Sequence, residues 1–142
     1  MTTVQQVFDQ TIHLLDEQNE SSGATVTADT AEYKKRTISI LNTIMPRLYP
    51  YSDTYDSSGP GRPVCPALAV SDYSSPDFTQ EIPLDDTLAL GVLPYLLASH
   101  LVAGENEDLS VYFLTQYNQV FSDVRSQIPA SFEPISTPYG LF

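Results

Sequence analysis

The sequence predicts an all-α fold, a bundle of four main helices at about residues 3–19, 29–49, 84–103 and 107–128. Three observations support this prediction. Apolar side chains recur at helical spacing in each segment. Capping residues precede the segments, and proline or glycine follows them. Hydrophobic residues make up 42% of the 142 positions, which is enough for one core, so we expect a single domain over residues 1–142.

The first two segments carry clear boundary signals. Thr3 and Gln6 fit a capping box, in which the hydroxyl accepts from a free amide and the glutamine reaches back. The apolar stripe that follows comprises Val4, Val7, Phe8, Ile12 and Leu15. For the second segment, either Thr27 or Asp29 is expected to cap the helix. Pro50 then ends it, because proline lacks the amide donor that a helix interior needs.

The third segment is the most apolar. Asp85 and Asp86 stand at its start, where the helix dipole favours negative charge. Its apolar residues cover more than half of the circumference, so we expect the central helix of the bundle. Gly91 and Pro94 predict a kink, and Gly104 is expected to adopt the left-handed conformation that often ends a helix. The uncharged run 87–104 lacks flanking Lys or Arg and contains proline, glycine and histidine, so we interpret it as a core helix, not a membrane span.

The fourth segment begins after Asn106, a favourable capping residue, and Pro129 ends it. Its stripe contains several aromatic residues: Leu109, Phe113, Tyr117, Val120, Phe121, Val124 and Ile128. Only a few residues separate this segment from the third. The two helices are therefore expected to pack antiparallel as a hairpin.

Two segments lack any helical period. The loop 51–83 contains five prolines among Ser, Asp, Gly and Tyr, and residues 67–70 within it are compatible with one short strand. A connection this long is usually functional, disordered or packed across a neighbour. The tail 130–142 is apolar, so we expect it either to fold back over its own bundle or to dock in extended form on another subunit.

Charge and motifs argue against several classes of function. Eighteen acidic residues against six basic ones give a net charge of −12, which disfavours non-specific binding to nucleic acid. Such a charge suits a solubilising surface, and it also suits the wall of a channel through which DNA slides. The candidate reactive residues Cys65, His13 and His100 accompany no catalytic or phosphate-binding motif. We therefore expect a non-enzymatic protein with no catalytic residue, no cofactor and no metal.

Two stretches, "RTISILNTIMPRLYPYSD" and "IPLDDTLALGVLPYLLASHLVAGENEDLSVYFLTQYNQVFSDVR", resemble the head–tail connector (adaptor) proteins of tailed bacteriophages and prophages. In that family a helix ending in a Leu-Tyr-Pro-like exit is followed by a Pro-Leu-Asp-Asp start. An apolar helix then leads through a short acidic break into an aromatic-rich helix. The resemblance implies a virion structural protein that joins the head portal to the tail and forms part of the DNA conduit.

The resemblance also implies partners, namely portal and tail proteins and neighbouring copies of the chain in a ring. No sequence-specific nucleic acid and no membrane are expected among them. The candidate partner-binding residues lie in the loop and the tail: Tyr51, Tyr55, Arg62, Phe132, Tyr139, Leu141 and Phe142. Two other hypotheses remain open. One is an acidic DNA mimic that inhibits a nucleic-acid-binding partner, and the other is a small enzyme that uses His100 or Cys65.

Overall fold

The computed structural model describes residues 1–17 and 19–127. This part of the chain is mostly helical and contains no β-strand, in agreement with the predicted all-α class. Its helices are α1 Val4–Leu15, α2 Ala31–Leu48, α3 Asp86–Gly91, α4 Leu93–Val102 and α5 Glu107–Gln127, and a 3₁₀ turn at Tyr49–Tyr51 follows α2.

Helix α1 begins with the predicted capping box. The Thr3 hydroxyl accepts from the Gln6 amide, and the Gln6 side chain accepts from the Thr3 amide at 2.9 Å. The helix ends at Leu15, earlier than the expected residue 19, because Asp16 adopts a left-handed conformation with φ 58°. Asn19 then organises the following turn, since its side-chain oxygen accepts from two successive backbone amides.

The predicted cap of α2 is wrong. Neither Thr27 nor Asp29 caps the helix; Thr30 occupies the capping position and makes no side-chain cap bond. Its hydroxyl instead donates to the Thr25 carbonyl at 2.6 Å and accepts from the Thr27 amide at 2.9 Å. Buried Thr30 therefore folds the preceding loop onto the start of the helix.

The segment predicted as one kinked helix at 84–103 is two helices. The chain breaks at Val92, with φ −121° and ψ −47°, and Pro94 lies in the first turn of α4, where a missing amide donor costs little. Asp85 caps α3 by accepting from the Leu88 amide at 3.0 Å. The prediction for Gly104 is wrong: its φ is not positive, and the Val102 carbonyl closes the turn by accepting from two later amides.

Helix α4 lies at the centre of the described core. It packs against α1, α2 and α5, and its apolar residues are almost fully buried, as the sequence predicts. Helices α4 and α5 form the expected hairpin across residues 103–106. Ser99 and Ser110 join them reciprocally: each hydroxyl donates to the other residue's carbonyl, at 3.1 and 2.9 Å. Asn106 caps α5 through a 3.0 Å bond from the Leu109 amide.

The loop 51–83 packs on its own chain. Its buried apolar side chains join the core: Leu68, Phe78 and Ile82. Residues 78–82 also bond to the chain start, since the Val4 amide donates to the Gln80 carbonyl at 2.9 Å and the Ile82 amide donates to the Thr2 carbonyl at 2.7 Å. Residues 67–70 do not form the expected strand. The Leu68 backbone pairs with the Asn42 side chain instead.

Candidate interaction surfaces

A cleft of about 260 Å³ opens where the end of α2 meets the second half of α5. We call it the basic–aromatic cleft, and its lining residues are Arg47, Tyr51, Tyr117, Asn118, Phe121, Ser122 and Arg125. The 3₁₀ turn after α2 brings Tyr51 over α5. Helical spacing on α5 places the other aromatic residues and Arg125 on the same side of that helix.

The cleft contains two arginines, Arg47 and Arg125, and the second lies over two aromatic rings. The Arg125 guanidinium lies 5.9 Å from the Tyr51 ring centroid and 5.6 Å from that of Phe121. Those two rings meet edge to face at 5.1 Å, so they form a joint platform for the cation. The exposed aromatic turn therefore has a defined partner on α5.

The positive charge of the cleft is not neutralised by ion pairs within the described residues. Arg36 pairs with Glu32, whereas Arg47 and Arg125 have no carboxylate partner in residues 1–17 and 19–127. The Arg47 charge acts on its neighbours. The pKa of His100 is lowered by burial and further by Arg47; the pKa of Tyr117 is raised by burial, which Arg47 partly opposes.

An acidic surface lies at the other end of α2. We call it the acidic end, defined by Asp16, Glu17, Glu20 and Asp29, which line an open cavity of about 470 Å³ together with Asn19 and Ser21. Beside it, the Tyr33 hydroxyl donates to a Glu105 carboxylate oxygen at 2.6 Å. The pKa of Tyr33 is raised by burial, by this bond and by the charges of nearby glutamates, Glu17 among them. Negative charge is therefore concentrated here.

Apolar surface is exposed in two further places. Val111, Tyr112 and Leu114 are 56%, 54% and 41% exposed on the outer face of α5. A groove of about 340 Å³ lies between α1 and the break after α3, and Leu14 and Pro94 are among its lining residues. Clustered apolar exposure of this kind is typical of contact surfaces.

The structure locates three of the predicted partner-binding residues. Tyr51 lines the basic–aromatic cleft, and Tyr55 is 38% exposed with its ring centroid 5.2 Å from that of Tyr49. Arg62 lines a separate cavity of about 310 Å³ formed largely by the loop. The other four predicted residues lie outside the described residues: Phe132, Tyr139, Leu141 and Phe142.

Sequence reasoning missed Arg47 and Arg125, which are central to the cleft. A signal was available, because only six basic residues occur in the chain and three of them are adjacent at 34–36. Each of the two missed arginines stands alone next to an aromatic stretch. Their convergence could not be read from the sequence, since it depends on how the end of α2 packs across α5.

The three candidate reactive residues, His13, His100 and Cys65, do not line the basic–aromatic cleft. A ring nitrogen of His13 lies 3.1 Å from the Gly23 carbonyl oxygen, and the histidine side chain is exposed. Burial raises the pKa of the Cys65 thiol, which disfavours its reactive thiolate form. In the part of the chain that the structure describes, no group of three or more His, Cys, Asp or Glu side chains could hold a metal ion.

Comparisons with protein-family models, with curated proteins and with solved structures give no match for this chain. None of the helices within residues 1–17 and 19–127 combines the length and the apolar character that crossing a membrane requires.

Proposed function

We propose that the protein is a non-enzymatic structural component of a tailed phage or prophage. It joins the head portal to the tail in the virion, where copies form a ring around the DNA path. The observation that carries this proposal is the placement of the two connector-like stretches. They fold as α2 with its 3₁₀ exit and as α3 to α5, and α4 packs against both α2 and α5. The resembling segments thus form one packed unit.

In this proposal the molecule is a bundle of four main helices, with α3 and α4 counted as one helix broken at Val92. The loop 51–83 covers the bundle, and the apolar tail 130–142 serves as an assembly arm. A rigid helical body with an arm suits a ring, because each copy must offer different surfaces to its two neighbours.

The charge distribution supports a role beside DNA without tight binding to it. The net charge of −12 repels the phosphate backbone over most of the surface. Duplex DNA carries about one negative charge per 1.7 Å of axis, so an acidic conduit wall lets it pass without retention. The proposed partners are accordingly proteins and not a specific nucleic acid.

The outer face of α5 is the proposed contact for portal or tail. Val111, Tyr112 and Leu114 expose apolar side chains there. Polar side chains are expected on a helix face that contacts only water. Aromatic and aliphatic side chains are the usual anchors of protein interfaces. The predicted loop residues Tyr51, Tyr55 and Arg62 are proposed as partner contacts elsewhere on the surface.

A tagged copy expressed in the native bacterium tests the proposal after prophage induction by DNA damage. We expect the protein to sediment with phage-sized particles that also contain a portal protein. Tyr112→Ser/Leu114→Ser should release it from the particles, whereas Gln119→Ser/Asp123→Asn, two exposed polar positions on the same helix that do not line the basic–aromatic cleft, should not. Free protein bound to a nuclease or repressor would contradict the proposal and favour the acidic DNA mimic.

A further inference from the structure

Opposite charges lie at opposite ends of one helix. Arg47 is in the last turn of α2, and Asp29, a member of the acidic end, lies just before its first residue. The helix has 18 residues, so the two charged surfaces are about 27 Å apart at roughly 1.5 Å per residue. One molecule therefore cannot satisfy its own cleft with its own acidic end.

We infer that the basic–aromatic cleft binds the acidic end of a second copy of this chain. The carboxylates of Glu17 and Glu20 would approach the guanidinium groups of Arg47 and Arg125. Arginine presents a planar fork of donors that matches a carboxylate, and both of these arginines have no carboxylate partner within the described residues. The contact deepens the proposed function, and its closure into a ring rests on that function.

A protein carboxylate fits the cleft better than a nucleic-acid phosphate does. A short acidic turn brings a few charges to the two arginines. A nucleic-acid strand would instead lay further phosphates against a surface of net charge −12. The aromatic platform of Tyr51 and Phe121 holds the Arg125 guanidinium in place, which lowers the entropy that binding must remove.

Two copies of such an acidic chain repel each other at long range, but the repulsion is screened. At physiological ionic strength the Debye length is about 8 Å, so distant charges on the two molecules interact weakly. Charges in direct contact inside a cleft are screened much less. Local complementarity therefore decides whether the copies associate.

Analytical ultracentrifugation of the full chain at physiological salt tests the contact through charge reversal. Variant one is Arg47→Glu/Arg125→Glu, and variant two is Glu17→Lys/Glu20→Lys. The wild type should associate, whereas each variant alone should associate at least about tenfold more weakly, because one side of every contact is reversed. An equimolar mixture should form the complex again, since the reversed cleft of variant one is complementary to the reversed end of variant two, and the intact cleft of variant two to the intact end of variant one.

Control variants reverse charges outside the proposed contact. Lys35→Glu reverses an exposed cation on α2 outside the cleft, and Glu81→Lys/Glu107→Lys reverses two exposed acids outside the acidic end. Both should associate like the wild type. If variant one loses helix by circular dichroism, the neutral pair Arg47→Gln/Arg125→Gln replaces it.

The outcomes separate the contact from the proposed function. A monomeric wild type, variants that associate like the wild type, or a mixture that stays dissociated would each overturn the contact. Displacement of the second copy by duplex DNA competing for the arginines would also overturn it. Restored association with complexes larger than a dimer supports both the contact and the ring, whereas a closed dimer supports the contact and contradicts the ring.

Discussion

At the scale of single residues, two carboxamides organise the proline-rich loop. The Asn42 side chain accepts from the Leu68 amide at 2.8 Å and donates to the Leu68 carbonyl at 3.0 Å. Gln80 does the same for Ala69, with both distances 2.7 Å. Each carboxamide thus replaces the neighbouring strand that this segment lacks. The loop is held by side chains, which explains how it packs without regular structure.

Asn42→Ala should loosen this loop. The substitution leaves both backbone groups of a buried residue without a protein partner, which costs about 1–3 kcal/mol in the free energy of unfolding. Urea denaturation measures that cost, and hydrogen exchange at the Leu68 amide should become faster. Thr43→Ala is the control, because the Thr43 hydroxyl is exposed and bonds only within α2. Equal stability and exchange in the two variants would refute this role.

Because of Tyr33, we expect the free energy of unfolding to fall at alkaline pH. Its pKa lies above the ordinary value of 10.0 in the folded protein because of burial, its bond to Glu105 and nearby carboxylates. The unfolded tyrosine therefore ionises first, so its contribution to stability is complete below pH 10 and is lost as pH rises above that value.

Tyr33→Phe should reduce this loss of stability at alkaline pH. Unfolding free energies measured by urea from neutral pH to about pH 11 should fall less steeply in the variant, since no phenol remains at this site to ionise. Glu105→Gln should also flatten the profile, because it removes one charge that raises the pKa of Tyr33. Parallel profiles for wild type and Tyr33→Phe would be inconsistent with the raised pKa.

At the scale of elements, Pro94 and Gly104 do not have the conformational effects that the sequence predicts. Pro94 marks the start of α4 where a kink was predicted, and the break falls at Val92. Gly104 has an ordinary φ, whereas Gly23 in the loop before α2 has φ +71°. A Cβ added at either glycine would meet no atom within 4 Å, so backbone conformation alone distinguishes the two positions.

Alanine at these two glycines should change stability in opposite directions. Gly104→Ala should raise the free energy of unfolding by about 0.4–1 kcal/mol, because it restricts only the unfolded chain. Gly23→Ala should lower it by about 1 kcal/mol, since a left-handed backbone is unfavourable for alanine. Urea denaturation of both variants measures the difference. A destabilised Gly104→Ala would instead support the left-handed conformation that the sequence suggested.

At the scale of the whole molecule, local signals predicted the helices better than the contacts between them. Thr3, Asn106 and the apolar stripe of the third segment identified two caps and the central helix correctly, because these features depend on neighbours in sequence. The role of Thr30 and the pairing of Asn42 with Leu68 were missed, since both depend on where a loop folds back. Arg47 and Arg125 were not predicted as neighbours for the same reason, because the cleft forms only when α2 packs against α5.

The whole molecule also carries the central functional hypothesis. A helical body has exposed apolar residues on α5, a positive cleft at one end of α2 and negative charge at the other. These three surfaces are formed by different residues and lie on different parts of the molecule. Such an arrangement suits a subunit that contacts unlike neighbours, as a joint between two larger assemblies requires.

Deletion of the gene from an inducible prophage, followed by electron microscopy of the lysate, tests the head-to-tail role most directly. The proposed function predicts separate heads and separate tails, and a plasmid copy of the wild-type gene should restore joined particles. A copy carrying Tyr112→Ser/Leu114→Ser should not restore them, whereas Gln119→Ser/Asp123→Asn should. Joined, infectious particles in the deletion strain would contradict the account.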